Sequence, residues 1–380
     1  MVLLLGAALS RAAPQELYPS IAPGYVPSAA SDEVGLWTEL EDYERAIRRS
    51  ALRVRDPGLN AYVQKVLCRV SGEYCQDLRL YLIRNPHFNA SMTANGIVQV
   101  WTGLLMRVSS EDELAAVLGH ELAHYTQLHS LEQIRRATAA MTTGSIFDMS
   151  LLILTGVNLP AGQMTAIASV MSFSRADESE ADLLGTRFMV EGGYDPRAAA
   201  RVWDTIVAEE KRAVAKREEP GIFSKTHPSS DERVEDLREY VAAHYPDVSE
   251  DPEGRERHVK VLSQHYGFLM EDQIDTNRYG RTEDMLERHR KLGVDDSLIE
   301  FYYGEMYRQR DGEGDREKAL KSYLLAGKAN PPVAEAYLQL GYMYMKLGDA
   351  AAARASFETY LLLEPESDER AMIEFYLEDL

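Results

Sequence analysis

The sequence predicts a mostly helical protein with one small β-sheet, built as a globular domain followed by an array of helical hairpins. Three observations lead there. Apolar residues recur at helical spacing through most of the chain, only two short runs read as strands, and the last third repeats every 34 residues. A chain of 380 residues, 45% hydrophobic and 27% charged, is long enough for two domains and is neither a disordered acidic chain nor a membrane bundle. Its 41 Lys and Arg against 61 Asp and Glu give a net charge of −20, which repels phosphate and argues against nucleic acid as a partner.

The chain begins MVLLLGAALS, a short apolar run followed by small residues. This resembles the end of a secretory signal without its basic start; a frayed extension is the alternative. Residues 14–30, rich in Pro, Ala, Gly and Ser, read as a linker. Segment 1–30 is therefore leader and linker, 31–245 the globular domain and 246–380 the repeats. Val34, Trp37, Leu40, Tyr43 and Ile47 mark a helix over 32–50. Asp56-Pro57 starts a second one, with Pro in the first turn. Leu78–Ile83 and Gly96–Trp101 read as strands, and Asn89–Asn95 between them as a polar turn. Ser110 and Glu113 match a capping box opening a long helix that runs towards Arg136. Further helices are expected over 172–191, 196–215 and 231–244.

Two segments leave alternatives open. Residues 149–174 carry no charge and are long enough to span a bilayer. Gly156, Asn158, Pro160, Gly162 and Gln163 interrupt them, which favours a buried helical hairpin over a flap, a peripheral membrane contact or a true span. Cys68 and Cys75, the two cysteines of the chain, form one local disulfide in an oxidising compartment and two small core residues in a reducing one.

In the last third, Gly280, Gly314 and Gly348 lie 34 residues apart, as do Met285, Ala319 and Ala353. The last unit is the clearest, with Tyr337, Leu340, Gly341, Tyr344, Gly348, Ala353, Phe357, Tyr360 and Pro365. This resembles the tetratricopeptide pattern, two antiparallel helices per unit with a capping helix after Pro365. The first unit is degenerate, and the middle one has a longer turn at Arg310–Glu313. Such an array offers a groove for a protein partner.

The chemistry lies in His120-Glu121-Leu122-Ala123-His124, an H-E-x-x-H motif inside the long helix. Four residues turn a helix by about 400°, so both imidazoles project from one face and can share one Zn²⁺. Glu121 stands beside them, placed to take a proton from water. By itself the motif also fits a helix with two surface histidines. A third ligand must decide. The position six residues after His124, where one zinc-protease class has a histidine, is Ser130. His129 lies about 180° around a continuous helix from His120 and is expected to face away. Glu178 and Asp182 are one helical turn apart. Glu178 completes a two-His, one-Glu site with an open fourth position, and Asp182 accepts a hydrogen bond from a ligating imidazole. The alternative is a solvated acidic face, since 177–182 holds four carboxylates.

HELAH, the Glu178/Asp182 pair in SRADESEAD, Thr226-His227-Pro228 and Arg233 together resemble the BepA/HtpX-like zinc metalloendopeptidases, relatives of the CAAX prenyl endopeptidases. Asn89-Ala90, Asn95-Gly96 and Thr102-Gly103-Leu104-Leu105 fit the same family. The resemblance covers about residues 35–245 and implies a minigluzincin-like domain with one Zn²⁺ per chain. Exported members join it to tetratricopeptide repeats, in the order found here, which implies a periplasmic location. A cytosolic protease follows instead if 1–13 stay on the chain and the cysteines are reduced. The resemblance also implies that His227 can fill the open zinc position as a switch. A transition-state donor or an ordinary turn residue are the other roles for it. Arg233 is expected to place the His227 loop or bind a substrate carbonyl. Glu121, His227 and Arg233 are thus the catalytic candidates, and His120, His124 and Glu178 the metal ligands. The expected substrate is a misfolded or stalled exported polypeptide, its backbone paired with an exposed edge of the Gly96–Trp101 strand. The competing reading is a repeat-based chaperone or adaptor with a latched, largely inactive zinc site.

Overall fold

The centre of the globular part is the helix Glu111–Thr126, in which every one of the 16 residues is buried. A helix apolar or paired all round can only be a core helix. The computed structural model describes residues 17–140, 172–215, 221–228, 230–248 and 251–380. The expected leader at 1–13 and nearly all of the uncharged segment 149–174 lie outside these residues.

Helix Glu33–Arg49 presents Leu40, Tyr43 and Ile47 to the core. Helix Pro57–Ser71 starts at Asp56, whose side chain accepts the Leu59 N–H, with Pro at the first turn. A short 3₁₀ turn, Gly72–Asp77, follows, and the Cys68–Cys75 disulfide ties it to that helix.

The sheet has three strands, β1 (Arg79–Ile83), β2 (Ala90–Met92) and β3 (Ile97–Trp101), in the order β1-β3-β2. β1 runs parallel to β3 and β2 antiparallel to it, with Leu82 opposite Val100 and Ser91 opposite Gln99. Two expectations change here. Asn89–Asn95 is not a plain turn but contains β2. Its polar residues close the tip, where Thr93 Oγ1 binds Asn95 Oδ1 and Gly96 turns at φ 82°. And β3, paired on both sides and wholly buried, has no exposed edge for substrate.

Ser110 Oγ accepts the Glu113 N–H as an N-cap, but the Glu113 carboxylate reaches Ser109 N–H rather than closing the box. The helix also ends sooner than its sequence suggests. Leu128 adopts φ 59°, and a new helix starts at His129 and runs to Ala140. Leu128 packs between two apolar clusters, so tertiary packing overrides helical propensity at this point.

Helices Arg175–Glu191, Arg197–Ala215, Ile222–Thr226 and Asp231–His244 complete the globular part. Pro252–Gln264 leads into the array. Its hairpins pair Tyr266–Asp275 with Tyr279–Leu292, Asp296–Arg310 with Asp315–Gly327, and Ala334–Leu347 with Ala350–Leu363; Arg370–Asp379 caps the stack. Gly304 and Gly341 occupy equivalent places, where a Cβ would stand 2.5 Å from the Tyr323 ring and 2.4 Å from the Phe357 ring. Gly280 lies inside a helix, so the first unit lacks the turn made by Gly314 and Gly348.

The two parts share a buried junction. Met106 inserts into the apolar core of the array. Array residue His258 holds Leu105 O through Nε2 at 3.2 Å and accepts the Tyr62 hydroxyl at Nδ1 at 2.9 Å. His289 treats Met106 O in the same way at 2.8 Å, with Tyr266 on its Nδ1 at 2.8 Å. Among the described residues, no helix is long and apolar enough to cross a membrane.

Candidate metal centre

The site forms where Glu111–Thr126 crosses Arg175–Glu191. The crossing is close because two glycines meet: a Cβ on Gly119 would stand 2.8 Å from Gly185 O, and one on Gly185 would stand 2.8 Å from His120 N. Nothing in the sequence periodicity marked this pair. Gly185→Val is therefore expected to push the helices apart, costing about 1–3 kcal/mol in stability. It should also loosen metal binding. A thermal midpoint and zinc affinity equal to wild type would contradict this.

The motif spacing puts His120 and His124 on one face, the crossing brings Glu178 to them, and His227 joins from the loop after Ile222–Thr226. All four are buried, and one donor atom from each lies within 4.8 Å of the others. Four donors at zinc–ligand distance from one centre stand about 3.3 Å apart in a tetrahedron. Here His120 Nε2 is 3.1 Å from His124 Nε2 and 3.4 Å from His227 Nδ1. Glu178 Oε2 is 3.6 Å from His120 Nε2, and Glu178 Oε1 is 3.6 Å from His124 Nε2 and 2.9 Å from His227 Nδ1. The four buried donors are of the kinds, and close to the spacing, that can hold one metal ion such as zinc.

Electrostatics agrees. Burial pushes His120 down and His124 well below the ordinary imidazole range, which leaves their ring nitrogens available as ligands. For Glu178, burial alone acts upward, but the charges of His227 and Arg233 outweigh it and the carboxylate is held low. For His227, burial acts downward and the Glu178 and Glu121 carboxylates win, raising it. Glu121 is pushed up to about 7 by burial. Its Oε1 is buried and has no hydrogen-bond partner among the described residues, and it lies 3.7 Å from His227 Nε2.

Asp182 Oδ1 lies 3.1 Å from His120 Nδ1, so a carboxylate fixes that ring with Nε2 towards the centre. Asp182 also accepts from Trp203 Nε1 at 3.1 Å and from the Arg233 guanidinium. Arg233 further contacts Glu178 and Pro228 O. Of the two roles expected for Arg233, this geometry matches placing the His227 loop rather than binding substrate. Phe223 stacks on His227 at 4.4 Å and on Trp203 at 5.5 Å between ring centroids. On the other side Phe173 stacks on His124 at 3.9 Å, and its N–H bonds Thr226 O at 3.0 Å.

Sequence reasoning missed Trp203, Phe173 and Phe223, which look like any core aromatics, and misplaced His129. The turn at Leu128 swings His129 back, with Nδ1 3.0 Å from His124 Nδ1. It does not face away.

Residues 54–241 match the family model of peptidase family M48, and residues 334–367 match a tetratricopeptide repeat. The mitochondrial metalloendopeptidase OMA1 of Schizosaccharomyces pombe is 34% identical over 190 residues, 47% of this chain and 52% of its own length. The beta-barrel assembly-enhancing protease of Yersinia pestis is 29% identical over 206 residues, 52% of this chain and 42% of its own. A Vibrio cholerae relative is 31% identical over 221 residues, 54% and 43% of the two chains. The chain thus spans about half the length of the curated relatives it matches.

Proposed function

Because residues 54–241 belong to peptidase family M48 and a tetratricopeptide repeat follows them, we propose that the chain is a zinc-dependent endopeptidase of exported, misfolded or stalled proteins. The domain reading is 31–245 for the peptidase and 246–380 for the repeats. The observation that carries the activity is the close grouping of buried donors from His120, His124, Glu178 and His227. When bound, one Zn²⁺ supplies Lewis-acid polarisation of the scissile carbonyl and acidifies a water. Glu121 takes the water proton and hands it to the leaving amine. Asp182 orients His120, while Arg233 braces Asp182, Glu178 and the loop of His227. His227 would hold the metal as its fourth protein donor at rest, and moving away would admit substrate. Since β3 is internal, the substrate backbone pairs instead at the edge strand β2, which packs against the helix that carries Glu121.

The Cys68–Cys75 disulfide supports an exported, periplasmic location. The relatives described as beta-barrel assembly-enhancing proteases support a role in that assembly. The repeats recruit a protein partner, and exposed Leu347, Leu362 and Phe375 near their end offer it apolar surface. The adaptor reading survives only as the latched resting state, favoured by His227 sitting at ligand distance.

Metal analysis of the purified chain tests the reading. One zinc per chain is expected, with peptide hydrolysis lost to a chelator and restored by zinc. His227→Ala should keep the zinc and hydrolyse faster. Chelator-insensitive hydrolysis, or a chain that takes up no zinc, would overturn it.

A further inference from the structure

His129 has no part in the four-donor set, yet it is buried against it. Its Nδ1 stands 3.0 Å from His124 Nδ1, and its Nε2 stands 3.4 Å from Glu180 Oε2. Glu180 is half exposed and projects from the helix that carries Glu178. His129 reaches this position because the chain breaks at Leu128 and restarts one residue later.

We infer that His129 is a positioning residue for the metal ligand His124, acting as the acceptor in a His124–His129–Glu180 chain. The inference rests on the zinc reading above. An imidazole that binds metal through Nε2 carries its proton on Nδ1 and must donate it. For His120 the acceptor is the Asp182 carboxylate, directly. For His124 the nitrogen of His129 takes that place at Nδ1. His129 accepts at Nδ1 only if its own proton sits on Nε2, the atom that faces Glu180. Glu180 therefore sets the tautomer of His129, and His129 sets that of His124. The two imidazoles of one motif are thereby anchored by two different carboxylates, one in contact and one through a relay. Phe173, stacked on His124, holds the ring plane from the other side.

The test measures zinc affinity of the full chain by competition with a chromogenic chelator, so it does not depend on hydrolysis. His129→Leu keeps bulk and removes the acceptor; it should weaken zinc binding about 10- to 100-fold, the usual effect of losing an outer hydrogen bond to a metal ligand. His129→Asn places a carbonyl oxygen where Nδ1 stood, and should return affinity to within about threefold of wild type. A merely structural role would not separate Leu from Asn in this way. Glu180→Ala, at the surface, should weaken binding by a few-fold, and it decides the matter if His129→Leu does not fold. Zinc binding by His129→Leu as tight as wild type overturns the inference, as does His129→Asn binding as weakly as His129→Leu, or Glu180→Ala leaving affinity unchanged when it must decide. Wild type that binds no zinc overturns the metallopeptidase reading itself, which keeps the two failures apart.

Discussion

Exchanging Glu121 for glutamine is expected to leave the zinc content at wild-type level and to lower peptide hydrolysis by at least about a hundredfold. Glu121 contributes no atom to the four-donor group, so the metal should not sense the change. Glutamine has the same shape and keeps one side-chain oxygen that can accept a hydrogen bond. What it cannot do is carry a proton from water to the leaving amine. Burial raises Glu121 to about 7, which marks a carboxyl able to hold that proton and release it again. His120→Ala gives the contrast. It should lose hydrolysis too, but through loss of zinc, because one of the four grouped donors is gone. Metal content and hydrolysis measured side by side on the two variants separate the general base from the ligand. Hydrolysis by Glu121→Gln within a few-fold of wild type would remove Glu121 from the mechanism.

Mild acid should loosen the junction between the peptidase part and the array. Burial depresses His258 to about 4 and His289 to about 3. Arg288 and Arg107 add to the depression of His289. Both imidazoles are neutral when they hold Leu105 O and Met106 O. A folded pKa below the unfolded value near 6.5 means that the unfolded chain binds protons first. The stabilisation is therefore complete above about pH 6.5 and is lost as the pH falls towards the folded values. At pH 5 each histidine should cost about 2 kcal/mol, so the pair costs about 4 kcal/mol. The thermal unfolding midpoint should drop between pH 7.5 and 5. A variant with both His258→Gln and His289→Gln, whose amides can still donate to the two carbonyls, should drop less. Parallel pH profiles for the two proteins would show that these histidines do not govern the response.

The features legible in the sequence share one property: they depend on residues a few positions apart. His120, Glu121 and His124 are set by helical geometry once a helix is assumed. So is the shared face of Glu178 and Asp182, whose place beside the histidines is a long-range contact of the fold. Pro57 after Asp56 marked a helix start, and Ser110 marked another. Gly314 and Gly348 were legible as repeat positions because they lie 34 residues apart, and both take a left-handed conformation at the helix turns.

What escaped was decided across the fold. β2 is a strand because β3 offers it a partner, although Ala90–Met92 shows no strand pattern of its own. Trp203 looks like one more apolar residue until its indole N–H is seen on Asp182. Gly185 looks like a helix defect until His120 N is found 2.8 Å from where its Cβ would be. His129 was placed on the far side of a helix that in fact ends before it. By itself the sequence determined the helical class, the repeat, and the identity of the groups that can grip a metal, since these follow from local periodicity and side-chain chemistry. The tertiary structure alone decided how closely two helices pack, where one of them breaks, and which distant side chains orient the imidazoles. Those outcomes come from packing energies summed over segments far apart in the chain, which no short window of sequence contains.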